Sequence, residues 1–199
     1  MDNQTILILG IGNILWADEG FGVRVVQALQ RSYDFPPQVV LMDGGTQGLA
    51  LMPHVQQADC LIVIDAVDFQ RLPGTLIELR DAEVPAYLGA NKMSLHQVSF
   101  QEVLILCQLL GKYPKRVLLV GVQPETLEDY GGSLSLIVKR QLAAAMERVL
   151  AYLATLGINA ILKSSSLGAG SEASDIDEYE RLRPSAEEAC RFGDGRFLT

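Results

Sequence analysis

Cysteine, histidine and positive charge are all scarce in this chain of 199 residues. Its three cysteines, Cys60, Cys107 and Cys190, lie far apart, and no CxxC pair occurs. That excludes a cysteine-rich zinc site or a disulfide scaffold. Buried thiols in a reducing compartment are expected instead. Lys and Arg total 16 against 24 Asp and Glu, a formal net charge of -8. Clustered cations, which phosphate-backbone binding requires, are missing, so neither nucleic acid nor an anionic membrane surface is an expected partner. No apolar run approaches the roughly 18 residues of a membrane span. The opening MDNQTILILGIG has no basic leader before its apolar run, so a cytoplasmic protein without membrane insertion is expected. There is no GxSxG elbow and no HExxH helix. The cysteines in LMPHVQQADCLIVIDA and EVLILCQLLG sit in apolar runs, a poor setting for a nucleophilic thiolate.

What is present is aliphatic: 49% of the chain is hydrophobic and only 7% aromatic. Short apolar runs at Thr5–Ile11, Gln38–Asp43, Cys60–Ile64 and Val117–Val122 predict strands. Val23, Val26 and Leu29 recur at helical spacing over 22–33, with Arg24, Gln27 and Gln30 on other faces. A second helix fits Gly48–Gln57, with Pro53 near a turn. Further helices fit Phe100–Leu110 and Ser133–Leu156. The order of passes predicts a three-layer α/β/α fold with a mainly parallel central sheet. TLIEL after Pro73-Gly74 adds a strand for which an antiparallel edge place is one option. Residues 81–98 read as a loop with short helical turns. One domain over 1–160 is expected, then a polar tail over 161–199 that turns to SSSLGAGSEASD and many charges.

Open parallel sheets bind ligands beyond the carboxyl ends of their strands. Asp18 and Glu19 follow the first strand, Asp43 ends the second and Asp65 ends the third. The first turn, Gly10-Ile11-Gly12-Asn13-Ile14-Leu15, carries two glycines of a dinucleotide fingerprint, but Leu15 occupies the third position. The acids at the following helix start repel a pyrophosphate. A dinucleotide enzyme is therefore a distant alternative, with Asp43 as its ribose acid. Glu19 and Asp65 offer hard oxygen ligands. Of two histidines, His54 reads as a surface or packing residue of a helix, while His96 in KMSLHQ has no periodic apolar pattern around it. One imidazole and two carboxylates suit a divalent ion such as nickel or zinc. Their wide spacing is not a local motif; a fold must bring them together.

At these residues the sequence resembles the maturation endopeptidases of nickel–iron hydrogenases. The matching pieces are GIGNILWADEGFGVRV (10–25), MDGGTQGL (42–49), LIVIDAVD (61–68), KMSLHQ (92–97) and LLVGVQPE (118–125), in the family's order over roughly residues 5–157. ADEGFG, MSLHQ and YGGSLS look most like the subgroup serving uptake hydrogenases. The resemblance implies a protease that removes a C-terminal extension from the nickel-loaded large-subunit precursor. It implies metal-ligating, catalytic roles for Glu19, Asp65 and His96, with nickel supplied by the precursor. Asp18 and Asp43 are possible supporting acids. A monomer is expected. A noncatalytic, nickel-sensing assembly chaperone is the alternative.

Overall fold

The computed structural model describes residues 4–85, 95–127 and 129–164, with the backbone alone described for 95–99. The tail over 165–199, Cys190 within it, lies outside the described residues. Five strands form the central sheet: β1 (Ile6–Ile11), β3 (Val39–Gly45), β4 (Cys60–Ala66), β5 (Leu76–Arg80) and β6 (Arg116–Val122). Their order is β3-β1-β4-β6-β5. All neighbours are parallel except β5, which runs antiparallel to β6 at the edge. A parallel strand needs a long crossover, whereas β5 needs only the return after Pro73-Gly74 to lie back along its neighbour.

The helices are α1 (Phe21–Ser32), α2 (Met52–Gln57), α3 (Leu95–Leu109), α4 (Leu136–Lys139) and α5 (Leu142–Thr155). Two cores result from the alternation of each buried strand. Ile6, Ile8, Ile62, Ile64, Leu118 and Val120 face α1 and α5, packing with Phe21, Val25, Leu29, Val149 and Leu153. Leu7, Leu9, Leu61, Val63, Val117 and Leu119 face the other way, toward Val55 of α2 and Val103, Leu104 and Cys107 of α3. Each large aliphatic buried this fully contributes roughly 1.5–3 kcal/mol. This is the three-layer α/β/α arrangement expected from the sequence.

Several boundaries differ from expectation. Arg24 is only 4% exposed, although helical spacing put it on a polar face; the first two turns of α1 are packed nearly all round. β4 runs on through Asp65 to Ala66, because its ladder with β6 continues to Ala66↔Val122. The helix expected from Phe100 starts five residues earlier, so His96 lies in its first turn and not in a loop. The helix expected over 133–156 is broken at Arg140–Gln141 into α4 and α5. Two short strands escaped notice: β2 (Tyr33–Asp34) pairs antiparallel with β7 (Ile161–Leu162). Such two-residue pieces carry no readable periodicity. No described helix is long and apolar enough to cross a membrane.

Candidate active site

From β1 the chain turns outward to β3, then crosses back to β4 on the other side of β1. Connections therefore leave β1 and β4 in opposite directions, which opens a crevice beyond their carboxyl ends. Glu19 and Asp65 both belong to this crevice.

The loop after β1 is tightly built. Gly12 has φ +123°, a conformation that L side chains rarely adopt, and a Cβ there would fall 1.7 Å from the Glu19 carbonyl oxygen. The same Cβ position is 3.8 Å from Asp65 Oδ1, so one glycine lies against both segments. Gly12 N–H donates to Gly45 O at the end of β3 (3.0 Å), tying the loop to the neighbouring strand. Asn13 Oδ1 accepts from Leu15 N–H (3.0 Å) and closes the next turn. Ala17 then takes φ +40°, a left-handed setting for a non-glycine residue. A 3-10 turn over Ala17–Gly20 delivers Glu19 and leads directly into α1. This turn packs against β4. The Glu19 side chain is half-buried, and burial raises its carboxyl above the ordinary value.

Asp65 is only 4% exposed. Its Oδ1 accepts from Ala66 N–H at 2.8 Å, which turns the carboxylate along the strand end. Opposite it in the ladder stands Gly121 of β6. The turn that carries Glu19 and the end of β4 that carries Asp65 thus both lie against Gly12, Glu19 through its backbone carbonyl and Asp65 through its carboxylate. The third predicted residue, His96, has its backbone in the first turn of α3, and its side chain lies outside the description. Among the described residues no group of three His, Cys, Asp or Glu forms a ready metal site. His54 is exposed on α2, as expected of a surface residue.

The supporting acids part company. Asp43 is exposed at the end of β3. Asp18 is fully buried. Its Oδ2 accepts from Glu125 N–H (2.8 Å), Thr126 N–H (3.0 Å) and the Ser135 hydroxyl (3.0 Å), and its Oδ1 from Ser135 N–H (2.7 Å). Asp18 N–H in turn donates to Thr126 O (3.2 Å). The residue beside Glu19 is thereby stapled to the loop that follows β6. Ser135 also caps α4, accepting from Val138 N–H.

A second buried staple went unnoticed in the sequence. Gln123 is 7% exposed. Its Oε1 accepts from Phe69 N–H (2.7 Å) and Arg71 N–H (3.1 Å), and its Nε2 donates to Asp68 Oδ1 (3.1 Å). It fixes the loop after β4 to the end of β6. The only signal was its place in the LLVGVQPE block, because an amide suggests no chemistry by itself. Asp68, Gln123, Glu125 and Thr126 line an open cleft of about 360 Å³ at this end of the sheet. Trp16 of the loop after β1 meets Tyr130 of the loop after β6, with rings in edge contact at 5.2 Å.

The comparisons with known proteins agree with this architecture. The family described as hydrogenase maturation protease matches residues 23–152. The hydrogenase expression/formation protein HoxM of Azotobacter vinelandii is 54% identical over all of this chain and 96% of its own length. The hydrogenase 2 maturation protease of Escherichia coli K12 is 46% identical over 78% of this chain and 94% of its own. The solved structure of the hydrogenase maturating endopeptidase HybD from E. coli superposes with a TM-score of 0.77 at 43% identity, covering 82% of this chain and 100% of that one. With fold, sequence and matched span in accord, the chain belongs to the hydrogenase maturation protease family and is an endopeptidase.

Proposed function

We propose that this endopeptidase removes the C-terminal extension of a nickel–iron hydrogenase large-subunit precursor after nickel has been inserted. The nickel arrives with the precursor. Glu19, Asp65 and His96 complete its coordination when the precursor docks. The observation that supports this reading is that the Glu19 backbone carbonyl and the Asp65 carboxylate both lie beside Gly12, which brings the two residues to one crevice between β1 and β4. Two acidic residues brought to one crevice, one buried and one half-buried, offer hard oxygen ligands suited to a divalent cation. A cation there acts as a Lewis acid, polarising the scissile carbonyl or lowering the pKa of an attacking water. Ions that come only with the finished substrate make nickel insertion a precondition of cleavage. The chain works as a monomer in the cytoplasm on this reading.

The test uses the purified full chain and the nickel-loaded precursor, with the product read by intact mass. Wild-type protein is expected to release the extension. Nickel-free precursor is expected to stay uncut. Glu19→Ala, Asp65→Ala and His96→Ala are each expected to keep the native circular dichroism and lose cleavage. Normal processing by all three variants would overturn the assignment of the trio. Binding of nickel-loaded precursor without any cleavage by the wild type would instead favour a nickel-sensing chaperone.

A further inference from the structure

Gly121 has no side chain, and the Phe69 ring fills its place. A Cβ on Gly121 would fall 2.4 Å from Phe69 Cζ and 2.5 Å from Cε2. Gly121 is also the ladder partner of Asp65. Paired residues on neighbouring parallel strands present their side chains to one face, with the strands roughly 4.8 Å apart. Alternation along β4 identifies that face. Leu61, Val63 and, just past the strand, Val67 pack in the core that holds Phe69, whereas Ile62, Ile64 and Ala66 pack in the other. Asp65 shares the phase of the first set, so the edge of the ring stands beside its side chain. Phe69 is itself only 9% exposed.

A built turn delivers the ring to this seat. Gln70 takes φ +55°, a left-handed setting uncommon for a non-glycine residue. On either side of it, Phe69 N–H and Arg71 N–H donate to one acceptor, Gln123 Oε1 (2.7 and 3.1 Å). Asp68 Oδ1 closes the turn by accepting from Gln70 N–H (2.9 Å) and Gln123 Nε2 (3.1 Å). Gln123 N–H donates in turn to Thr75 O (2.8 Å), which anchors the clamp itself. A ring held at its own backbone keeps its place without help from a ligand. Glycine inside a buried strand weakens it, and often marks a close approach. At Gly121 the approaching group is this ring.

We propose that Phe69 is a positioning residue of the endopeptidase: seated on Gly121 and clamped by Gln123, its ring walls one side of the Asp65 carboxylate and fixes its orientation for cleavage. The inference rests on the role of Asp65 proposed above. Phe69 supplies no reacting group and acts through Asp65. A carboxylate used in chemistry needs its rotamer locked by packing, because small displacements cost rate.

Steady-state cleavage of the precursor by the full chain tests it. Phe69→Ala is expected to lower kcat about ten-fold with KM within about two-fold, and Phe69→Met, which restores apolar bulk, to stay within about three-fold of wild type. Gly121→Ala drives the ring off its seat and is expected to lower kcat about ten-fold as well. In the Gly121→Ala/Phe69→Ala pair the two losses do not multiply, because they break one contact. Val84→Ala is the control. Val84 is buried in the same core but bonds to Asp81, which pairs with Val117 at the other end of β6. It lowers the thermal midpoint and leaves kcat unchanged. Unchanged kcat in Gly121→Ala, multiplied losses in the pair, a rise in KM alone, or an equal fall in kcat for Val84→Ala would overturn the proposal. If Phe69→Ala does not fold, Gly121→Ala decides.

A second readout needs no cleavage. Ala66 N–H donates to Asp65 Oδ1. In the precursor-free chain its hydrogen exchange is expected to quicken about ten-fold in Gly121→Ala and in Phe69→Ala, while that of Leu61 stays as in wild type. If Asp65→Ala cleaves normally, the processing role of Asp65 falls by itself. Ala66 exchange then decides whether the ring holds the carboxylate, with faster exchange supporting it and unchanged exchange overturning it.

Discussion

Asp18 and Glu19 are adjacent acids with opposite fates, and backbone geometry separates them. Across the left-handed Ala17 and the 3-10 turn, one side chain is fully buried and the other half-buried. Asp18 satisfies backbone donors that would otherwise be buried without partners. Asp18→Ala is expected to lower unfolding free energy by about 3 kcal/mol, because each abandoned buried donor costs roughly 1–3 kcal/mol. Asp18→Asn keeps one acceptor oxygen, at the Oδ2 position where three donors converge, and is expected to cost about half as much. Urea denaturation measures both; equal stability of Asp18→Ala and wild type would show that the staple is idle. Glu19 has a different thermodynamic signature. Its folded pKa is raised by burial, so the folded state holds that proton more tightly than the unfolded one. Ionised Glu19 therefore costs stability above its folded pKa, and the cost fades as pH falls below the unfolded value. Glu19→Gln is expected to raise the thermal midpoint of the metal-free chain at about pH 7, with the gain fading by about pH 4. A gain of the same size at both pH values would contradict the cause given. That variant loses cleavage on the proposed function, which sets stability against activity at one position.

Among the elements, the loops after β1 and β6 behave as one unit through Ser135. Its hydroxyl caps α4 and donates to Asp18, so Ser135→Ala removes the cap and one of the two bonds from residue 135 to Asp18 and leaves the backbone N–H bond in place. A loss of about 1–2 kcal/mol is expected from the cap and the bond together. Chemical denaturation measures that loss. The first helix shows a substitution of means. A dinucleotide fingerprint brings its helix close to the sheet with a third glycine in the turn, where this chain has Leu15. Here Gly22, inside α1, allows that approach: a Cβ on it would lie 2.0 Å from Ile64 O and 2.4 Å from Ile11 O. Gly22→Ala must push α1 off β1 and β4, and is expected to lower the thermal midpoint by several degrees, about 2 kcal/mol or more.

For the whole molecule, the two cores on either side of the sheet make opening cooperative. Cys60 is completely buried in one core and Cys107 in the other. Burial pushes the Cys60 thiol up to about 11 and raises Cys107 as well, so neither is a thiolate near neutrality. Both were expected as buried small hydrophobes, and both are. Iodoacetamide at about pH 8 is expected to spare Cys60 and Cys107 in the native chain and to modify them together when urea unfolds it. Peptide mass spectrometry reads the result; labelling of Cys107 alone in native conditions would show that the α3 layer opens independently.

Apolar runs and their lengths were sufficient for the strands, because a buried parallel strand must be aliphatic along its whole length. They also sufficed for the layers and for placing Glu19 after the first strand and Asp65 at the carboxyl end of the third, although β4 runs one residue past Asp65. Local signals failed where a distant partner decides. Asp18 meets Ser135 across 117 residues, and Gln123 meets Phe69 across 54. Nothing in ADEGFG distinguishes the fully buried acid from the half-buried one. Arg24 was misjudged for the same reason: helical spacing describes one face, whereas tertiary packing covers several. The start of α3 was missed because MSLHQ has neither a capping pattern nor an apolar period. By itself the sequence determined the sheet, the family resemblance and the acids available for chemistry, since these depend on composition and short-range order. Only the tertiary structure decided that Asp18, of the two adjacent acids, holds the loops, since a carboxylate's role follows from the donors folded around it.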